Sequence, residues 1–462
     1  MSYQFLSKHS SKLFDLIKEQ NTISSTKQST AYFKNNHTLG SRDRKIIAHV
    51  VFYHLRNKEL IKYIHKLLIN KDIELDIHII SIFLSINNWT NSTLLGIPDY
   101  SKYISPNLQK AFEINSDQIK KEYPELESSI IQILKNIQSE LHKLSENPDI
   151  IGDNGLKFIC QVCSVPHFYS NQINFKNFSN EQIILLLQSL NKPAPLSLRI
   201  NTYLSNREGI IEEFKEKVQF SKGELSPTAL TSEIKINISE GKSFKSGHFE
   251  IQDESSQMLA YAIEPKEKSI ILDACAGAGG KTLHLASIFP SCQIWAFDKN
   301  KKKLRELRLR AKRAKLENII IVEDIAKLNE KKNYFDYLII DSPCSGSGTV
   351  RRSPELKYRI DKSSLKKYNS LQRKIITQYI PLLKDEGELV YSTCSIFKSE
   401  NEDLSDWITN NLDFELVPLP KIFNKIEQFG SIKNPNRVLI LPFQFSSDGF
   451  FISRHKKVKI NS

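Results

Sequence analysis

In the stretch "SRDRKIIAHVVFYHLRNKELIKYIHKLL", residues 41–68, apolar residues recur at spacings of three and four. That is the period of an amphipathic helix, and Ser41 stands where an N-cap is expected. Glycine is sparse and period-two alternation is absent up to about residue 150, so residues 1–150 are expected to form a helical domain. The pattern then changes. "GDNG", "KPAPLSLRINT" and "SKGELSPT" bring turn residues, with short β-branched runs such as "EIKINI" between them. A small α+β module is expected over 151–255. From Ser269 strand-like and helix-like runs alternate: "SIILDA", "GGKTLHLASIF", "QIWAFDK", "KKKLRELRLRAKRAKL", "NIIIVED", "YLIIDS", "LKKYNSLQRKIITQYIPLL" and "GELVYST". Such alternation builds an α/β, Rossmann-like, mostly parallel sheet, expected over 256–457. In its basic helix Leu304, Leu307, Ala311 and Ala314 form the stripe that should be buried.

Composition adds limits. A chain of 462 residues suggests about three domains, and 40% hydrophobic with 25% charged residues is ordinary for a globular protein. The longest apolar run, "DIHIISIFLSI", is about half a membrane span and contains His78. The opening "MSYQFLSKHSSKLF" lacks a basic head followed by an apolar stretch. A soluble, cytoplasmic protein without membrane contact is expected, with its six cysteines reduced. The net charge of +13 favours a polyanionic partner, nucleic acid rather than membrane. Residues 1–150 hold 19 basic and 16 acidic residues, so most of the excess lies further on. The whole chain is rich in Lys, so charge alone does not decide the matter.

"ILDACAGAGGKT" places a Gly-rich turn between a strand and a helix, where backbone N–H groups can face polar atoms of a ligand. A Walker A loop would need glycine at Cys275, and a dinucleotide fingerprint would need it at Thr282. Both fail. A short Gly turn followed by an acid ending the next strand, Asp298, suits a nucleoside without pyrophosphate. S-adenosylmethionine is the expected cofactor, with Asp298 on the ribose and Asp324 in reach of the adenine. Lys281 opposes the dipole of its own helix, which hints at a ligand or catalytic partner.

Two scarce thiols stand just after strands: Cys344 in "LIIDSPCSGSGTV" and Cys394 in "GELVYSTCS". Ligands in open α/β sheets sit outside the carboxyl ends of strands, so both thiols should open onto the edge that carries the Gly turn. That arrangement fits one chemical need. Carbon 5 of cytosine is a poor nucleophile until a thiolate adds to carbon 6, and a base must later strip the carbon 5 proton. Asp341 is placed to hydrogen-bond the ring nitrogen of such a base.

The stretch from "GHFEIQDESSQ" to "YSTCSIFKSENED", with "PLSLRINT" upstream and "DGFF" downstream, resembles the RsmB/Sun-type RNA (cytosine-5) methyltransferases. "DSPCSGSGTVRRSPELKYR" and "YSTCS" are its most specific motifs, and "TLGSRDRKIIAHVVFYHLR" resembles the NusB-like RNA-binding domain of that family. The resemblance implies an RRM-like character for the middle module. It implies Cys394 as nucleophile and Cys344 as the residue that helps release product, with Asp341 and Lys281 beside them. It assigns Asp273, Cys275, Ala276, Gly277, Ala278, Gly279, Gly280, Lys281, Asp298, Asp324 and Asp341 to the cofactor side. The family usually writes "CAAPGGKT"; here Gly277 and Ala278 replace Ala-Pro, and the loop loses a rigid residue. Ribosomal RNA is the expected substrate, tRNA the alternative, and the protein is expected to act as a monomer. A non-catalytic RNA-binding assembly factor is the competing reading. Cys160 and Cys163 in "CQVCSVPHF" have half the spacing of a zinc knuckle without a second pair, so no metal is expected and helix packing accounts for both.

Overall fold

The fold is taken from a computed structural model that describes residues 2–19, 24–71, 73, 76–86, 106–147, 151–234, 236–428 and 435–459, with side chains described from residue 114 onward in the helix Pro106–Glu122. It divides into two compact units: Met1–Asn171, Phe178–Pro193 and Val350–Ile360 form the first, and Gln172–Asn177, Ala194–Thr349 and Asp361–Ser462 the second.

The first unit is helical. Tyr3–Glu19, Ser25–Asn35, Ser41–Ile69, Ile77–Ile86, Pro106–Glu122, Leu126–Glu146, Asp153–Val162 and Asn180–Ser189 are its main helices. The long helix buries Ile46, Ile47, Val50, Val51, Leu60, Ile61, Ile64 and Leu68, the stripe its periodicity predicts. Its N-cap is Gly40 rather than Ser41, because Asp43 reaches back to accept the Gly40 N–H at 3.2 Å. The run "DIHIISIFLSI" forms the ten-residue helix Ile77–Ile86. Among the described residues no helix is long and apolar enough to cross a membrane.

The segment Val350–Ile360 completes this unit through polar groups. Lys357 is buried, and its amine donates to the carbonyls of Arg56 and Ser164 at 2.7 Å each and to Asn191 Oδ1 at 2.5 Å. Burial pushes that amine well below the ordinary lysine range, with the nearby Arg56 adding to the effect. Glu355 accepts the Ser25 N–H at 3.1 Å and its hydroxyl at 2.7 Å.

The second unit holds two sheets. Strands β1 (Leu196–Ile200), β2 (Ser221–Lys222), β3 (Ala229–Ser232) and β4 (Phe249–Ile251) form an antiparallel sheet in the order β2-β3-β1-β4. The helix Arg207–Phe214 contributes Ile210 and Phe214 to a core shared with Leu198, Ile200, Leu230 and Phe249. The larger sheet contains β5 (Ile270–Asp273), β6 (Gln293–Phe297), β7 (Ile319–Val322), β8 (Phe335–Asp341), β9 (Leu383–Thr393), β10 (Phe414–Leu416), β11 (Arg437–Ile440) and β12 (Phe450–Lys457). Its order is β10-β12-β9-β8-β5-β6-β7, with β11 also on β12. Strands β5 to β9 pair parallel and β12 pairs antiparallel with β9, so this is a Rossmann-like, mostly parallel sheet.

Side chains alternate across that sheet as strand geometry requires. On β6, Ile294 and Ala296 face the helices Gly280–Ile288 and Lys301–Arg313. Trp295 and Phe297 face the opposite way, against Phe335 and against Tyr379 of the helix Lys362–Tyr379. Leu304, Leu307, Ala311 and Ala314 are all buried, as the basic helix's stripe predicts. Burying a leucine of this kind stabilises the fold by about 2 kcal/mol.

Gly279 joins sheet to helix. It caps the helix Gly280–Ile288 at φ +89°, and a Cβ there would lie 2.5 Å from Leu307 Cδ1. Both the left-handed backbone and the overlap penalise any side chain. Gly279→Ala is therefore expected to cost about 2–3 kcal/mol in urea unfolding. A loss below about 0.5 kcal/mol would contradict this account of the turn.

Candidate active site

Parallel pairing sets the geometry of the site. Asp341, the last residue of β8, pairs with Ser392 near the end of β9. Cys344 lies three residues past one strand and Cys394 one residue past the other, and their sulfurs stand 3.3 Å apart. The expectation that two strand-end thiols converge on one edge is met. Between them runs a hydrogen bond in which either thiol can donate. That bond, burial and the charge on Cys394 push the Cys344 thiol far above its ordinary range.

Lys281 approaches from the glycine turn. Its ammonium pairs with Asp341 at 2.6 Å and lies 5.5 Å above the Phe450 ring. Burial works against its charge, but the Asp341 carboxylate outweighs burial, and Cys394 and Asp273 add to it. The lysine is held above its ordinary range as a fixed cation beside the sulfur. Asp341 also accepts the Ser392 hydroxyl at 3.2 Å. The lysine that opposes its own helix dipole thus has the partner its position called for.

The turn of residues 275–280 is braced from below and open above. Asp273 is buried, accepting the Thr282 hydroxyl at 2.6 Å and the Cys275 N–H at 3.4 Å. Asp298 Oδ2 accepts the Gly277 N–H at 2.9 Å, and its Oδ1 accepts that of Asn300 at 2.7 Å. Each oxygen keeps a second lone pair for a hydroxyl. At Gly277, φ +56°, a Cβ would meet nothing within 4 Å. That open space above bare backbone, with Asp298 at its rim, fits a nucleoside-bearing methyl donor. Ala276 is buried in the turn, while Cys275, Ala278 and Gly280 are part-exposed. Burial and the surrounding carboxylates of Asp273, Asp341 and Asp298 hold the Cys275 thiol well above its usual range, so it stays protonated. Asp324 is exposed at the end of β7, where it caps the helix Ile325–Asn329 by accepting the Ala326 N–H at 3.0 Å.

Sequence reasoning missed Arg199. It is buried on β1 and donates to Gln252 Oε1 at 2.5 Å and to the Gly280 carbonyl, tying the small sheet to the glycine turn. Burial lowers its guanidinium to about 10. The basic helix is likewise more than a solvated face: Arg310 and Arg313 both grip the buried Glu250 of β4. Glu400, buried behind the two cysteines, also went unnoticed, because an acid inside "FKSENED" reads as a solvated charge run. Cys160 and Cys163 are both buried in the helical unit, and burial raises the Cys160 thiol to about 11. Among the described residues no group of three His, Cys, Asp or Glu side chains could hold a metal ion.

Residues 260–456 match the family described as 16S rRNA methyltransferase RsmB/F. Over these residues the chain resembles the RsmB/Sun-type methyltransferases. It is 29% identical over 448 residues to a probable ribosomal RNA small subunit methyltransferase B of Bacillus subtilis, covering 95% of this chain and 96% of that one. A ribosomal RNA small subunit methyltransferase B of Shewanella oneidensis is 29% identical over 326 residues, 70% and 71% of the two chains. A methyltransferase homolog of Pyrococcus horikoshii superposes with TM-score 0.56 at 28% identity, over 66% of this chain and 99% of that one. NSun6 of the same organism, solved with SFG, shares the fold with TM-score 0.56 at 22% identity, over 63% and 97%.

Within this site Asp273 gives a measurable signature. Burial raises its carboxyl from 3.8 to about 7, against the opposing hydrogen bond from Thr282. Between pH 4 and 7 the folded state keeps a proton that the unfolded state has lost, so stability falls as pH rises through that window. The carboxyl's share is about 4 kcal/mol. Asp273→Asn is expected to flatten the fall in urea titrations at pH 4.5 and 7.5. An unchanged slope would mean that the carboxyl is ionised in the fold.

Proposed function

We propose that this protein is an S-adenosylmethionine-dependent RNA cytosine-5 methyltransferase that modifies small-subunit ribosomal RNA through a thiolate adduct. The 3.3 Å approach of Cys344 and Cys394 carries the reading. One thiol can form the carbon 6 adduct, and a second thiol beside it can serve as the base that removes the carbon 5 proton when that adduct is undone. The substrate class is extended from the relatives, whose names specify small-subunit ribosomal RNA. The cofactor follows from the methyltransferase family and from SFG, an analogue of S-adenosylmethionine, in a structural neighbour.

S-adenosylmethionine, held against the backbone of residues 277–280 and the Asp298 carboxylate, supplies the electrophilic methyl group. The chain's own residues do the rest. Cys394, with the Lys281 ammonium beside it, adds as a thiolate to carbon 6 of the cytosine, and Asp341 hydrogen-bonds the base. The target cytosine must be unpaired or swung out of its stack for a sulfur to reach carbon 6. Once carbon 5 is methylated its proton must leave before the carbon 6–sulfur bond can break. Cys394 is by then a thioether without charge. The hydrogen bond and the charge that raised the Cys344 thiol are both gone, so Cys344 gives up its own proton to solvent more readily and, as a thiolate, takes the carbon 5 proton. Loss of the proton expels Cys394 as thiolate and restores the aromatic ring.

Cys394→Ala is expected to abolish methylation of small-subunit RNA. Cys344→Ala is expected to retain the first steps and accumulate a protein–RNA adduct that survives denaturing electrophoresis. Bisulfite sequencing of RNA treated with wild-type enzyme checks the position, with tRNA offered in parallel. Wild-type methylation by Cys394→Ala would overturn the mechanism, and modification of tRNA alone would overturn the substrate.

A further inference from the structure

Behind the paired thiols sits a buried carboxylate. Glu400, in the short turn Lys398–Glu400 after β9, is 0% exposed. Among the ion pairs of the described residues none includes it. Hydrogen bonds compensate its burial instead. Oε2 accepts the hydroxyls of Ser345 at 2.5 Å and Ser395 at 2.6 Å. Oε1 accepts the Ser345 N–H at 2.8 Å and the Gln372 amide at 3.1 Å. Ser345 directly follows Cys344 and Ser395 directly follows Cys394. Gln372 also donates to the carbonyl of Pro343, just before Cys344, at 3.1 Å. One carboxylate therefore holds the backbone on both sides of one thiol and the residue next to the other.

Further stitches join the same two loops. Ser347 and Ser395 share a hydroxyl contact at 2.8 Å, Gly348 donates its N–H to the Cys394 carbonyl at 3.0 Å, and Ile396 donates its N–H to Ser347 Oγ at 2.9 Å. Yet only Glu400 brings charge. A buried carboxylate costs several kcal/mol unless fully hydrogen-bonded, and the four bonds that Glu400 accepts offset that cost. What a neutral group cannot do is bias a proton. Glu400's negative charge acts on Cys344, while the Lys281 ammonium acts on Cys394. The thiol pair lies in a field with a negative and a positive end.

We propose that Glu400 is a positioning residue that fixes the separation of the two thiols through Ser345 and Ser395 and assigns the proton of the pair to Cys344. This rests on the two-cysteine reading of the reaction and deepens it: the identity of the nucleophile is set from behind, by a group that no substrate touches.

The test is alkylation of the free enzyme by iodoacetamide, read peptide by peptide by mass spectrometry from pH 6 to 10. Wild type is expected to label Cys394 ahead of Cys344. In Glu400→Gln, which keeps the shape and removes the charge, the Cys394-to-Cys344 ratio should fall roughly tenfold, the equivalent of one pH unit in thiol acidity. In methylation assays kcat should fall while KM for RNA holds, and Glu400→Asp should restore part of the alkylation bias. If Glu400→Gln does not fold, Ser345→Ala and Ser395→Ala carry the same measurement, each removing one hydroxyl donor. An unchanged labelling ratio in a folded variant overturns the proposal. Because labelling needs neither RNA nor methyl donor, that result is separate from failure of the two-cysteine reaction, which the methylation assay of Cys394→Ala reads by itself.

Discussion

The parallel ladder between β8 and β9 is the constraint on which the site depends. Its register sets Asp341 opposite Ser392, so the loops that follow both strands leave the sheet side by side. Neither loop alone could bring its sulfur to the other. Parallel neighbours end at the same edge, and only there do a glycine turn, an acid and two thiols meet without long excursions of the chain. An antiparallel pairing of the same two strands would have sent the cysteines to opposite ends of the sheet. The antiparallel strand β12 sits on the far side of β9 and brings Phe450 beneath Lys281 without disturbing that edge.

Around the sulfurs the charges are arranged rather than merely balanced. Lys281 is neutralised by Asp341 at 2.6 Å and remains a cation next to Cys394. On the other side, among the described residues, no ion pair includes Glu400. A thiol pair at 3.3 Å can hold one proton comfortably, and an unsymmetrical field decides where it stays. This division of labour needs both thiols to be shielded from bulk water, which would screen the bias, and both are only part-exposed.

Much of this was legible in the sequence, for reasons that differ by residue. The strand-helix alternation from Ser269 onward and the buried stripe at Leu304, Leu307, Ala311 and Ala314 follow from periodicity, which is local. The meeting of Cys344 and Cys394 was legible because strand ends in a parallel sheet share an edge. Gly40 in place of Ser41 as the helix cap shows the limit of boundary signals: Asp43 captured the backbone one residue earlier. Glu400 and Arg199 were illegible because their meaning is burial. Nothing in "SENED" or "SLRIN" says that one charge will be sealed behind a thiol pair and the other against a glycine turn. Such residues emerge only when distant loops are folded together.

The substitution of Gly277-Ala278 for the family's Ala-Pro shows how a lost local constraint is supplied from a distance. Proline stiffens a turn by fixing φ, and its removal leaves two residues freer in the unfolded chain. In the fold each is held by a hydrogen bond. The Gly277 N–H is fixed by Asp298 at 2.9 Å, and the Ala278 carbonyl accepts from Arg310 at 2.7 Å. Arg310 is itself held by the buried Glu250, and Glu250 lies on β4, paired with Arg199 on β1. Arg199 returns to the same turn by donating to the Gly280 carbonyl. The stiffness of the loop is therefore carried by a closed circuit through the small antiparallel sheet. That sheet acts on the site from behind, as the support against which the glycine turn is held open.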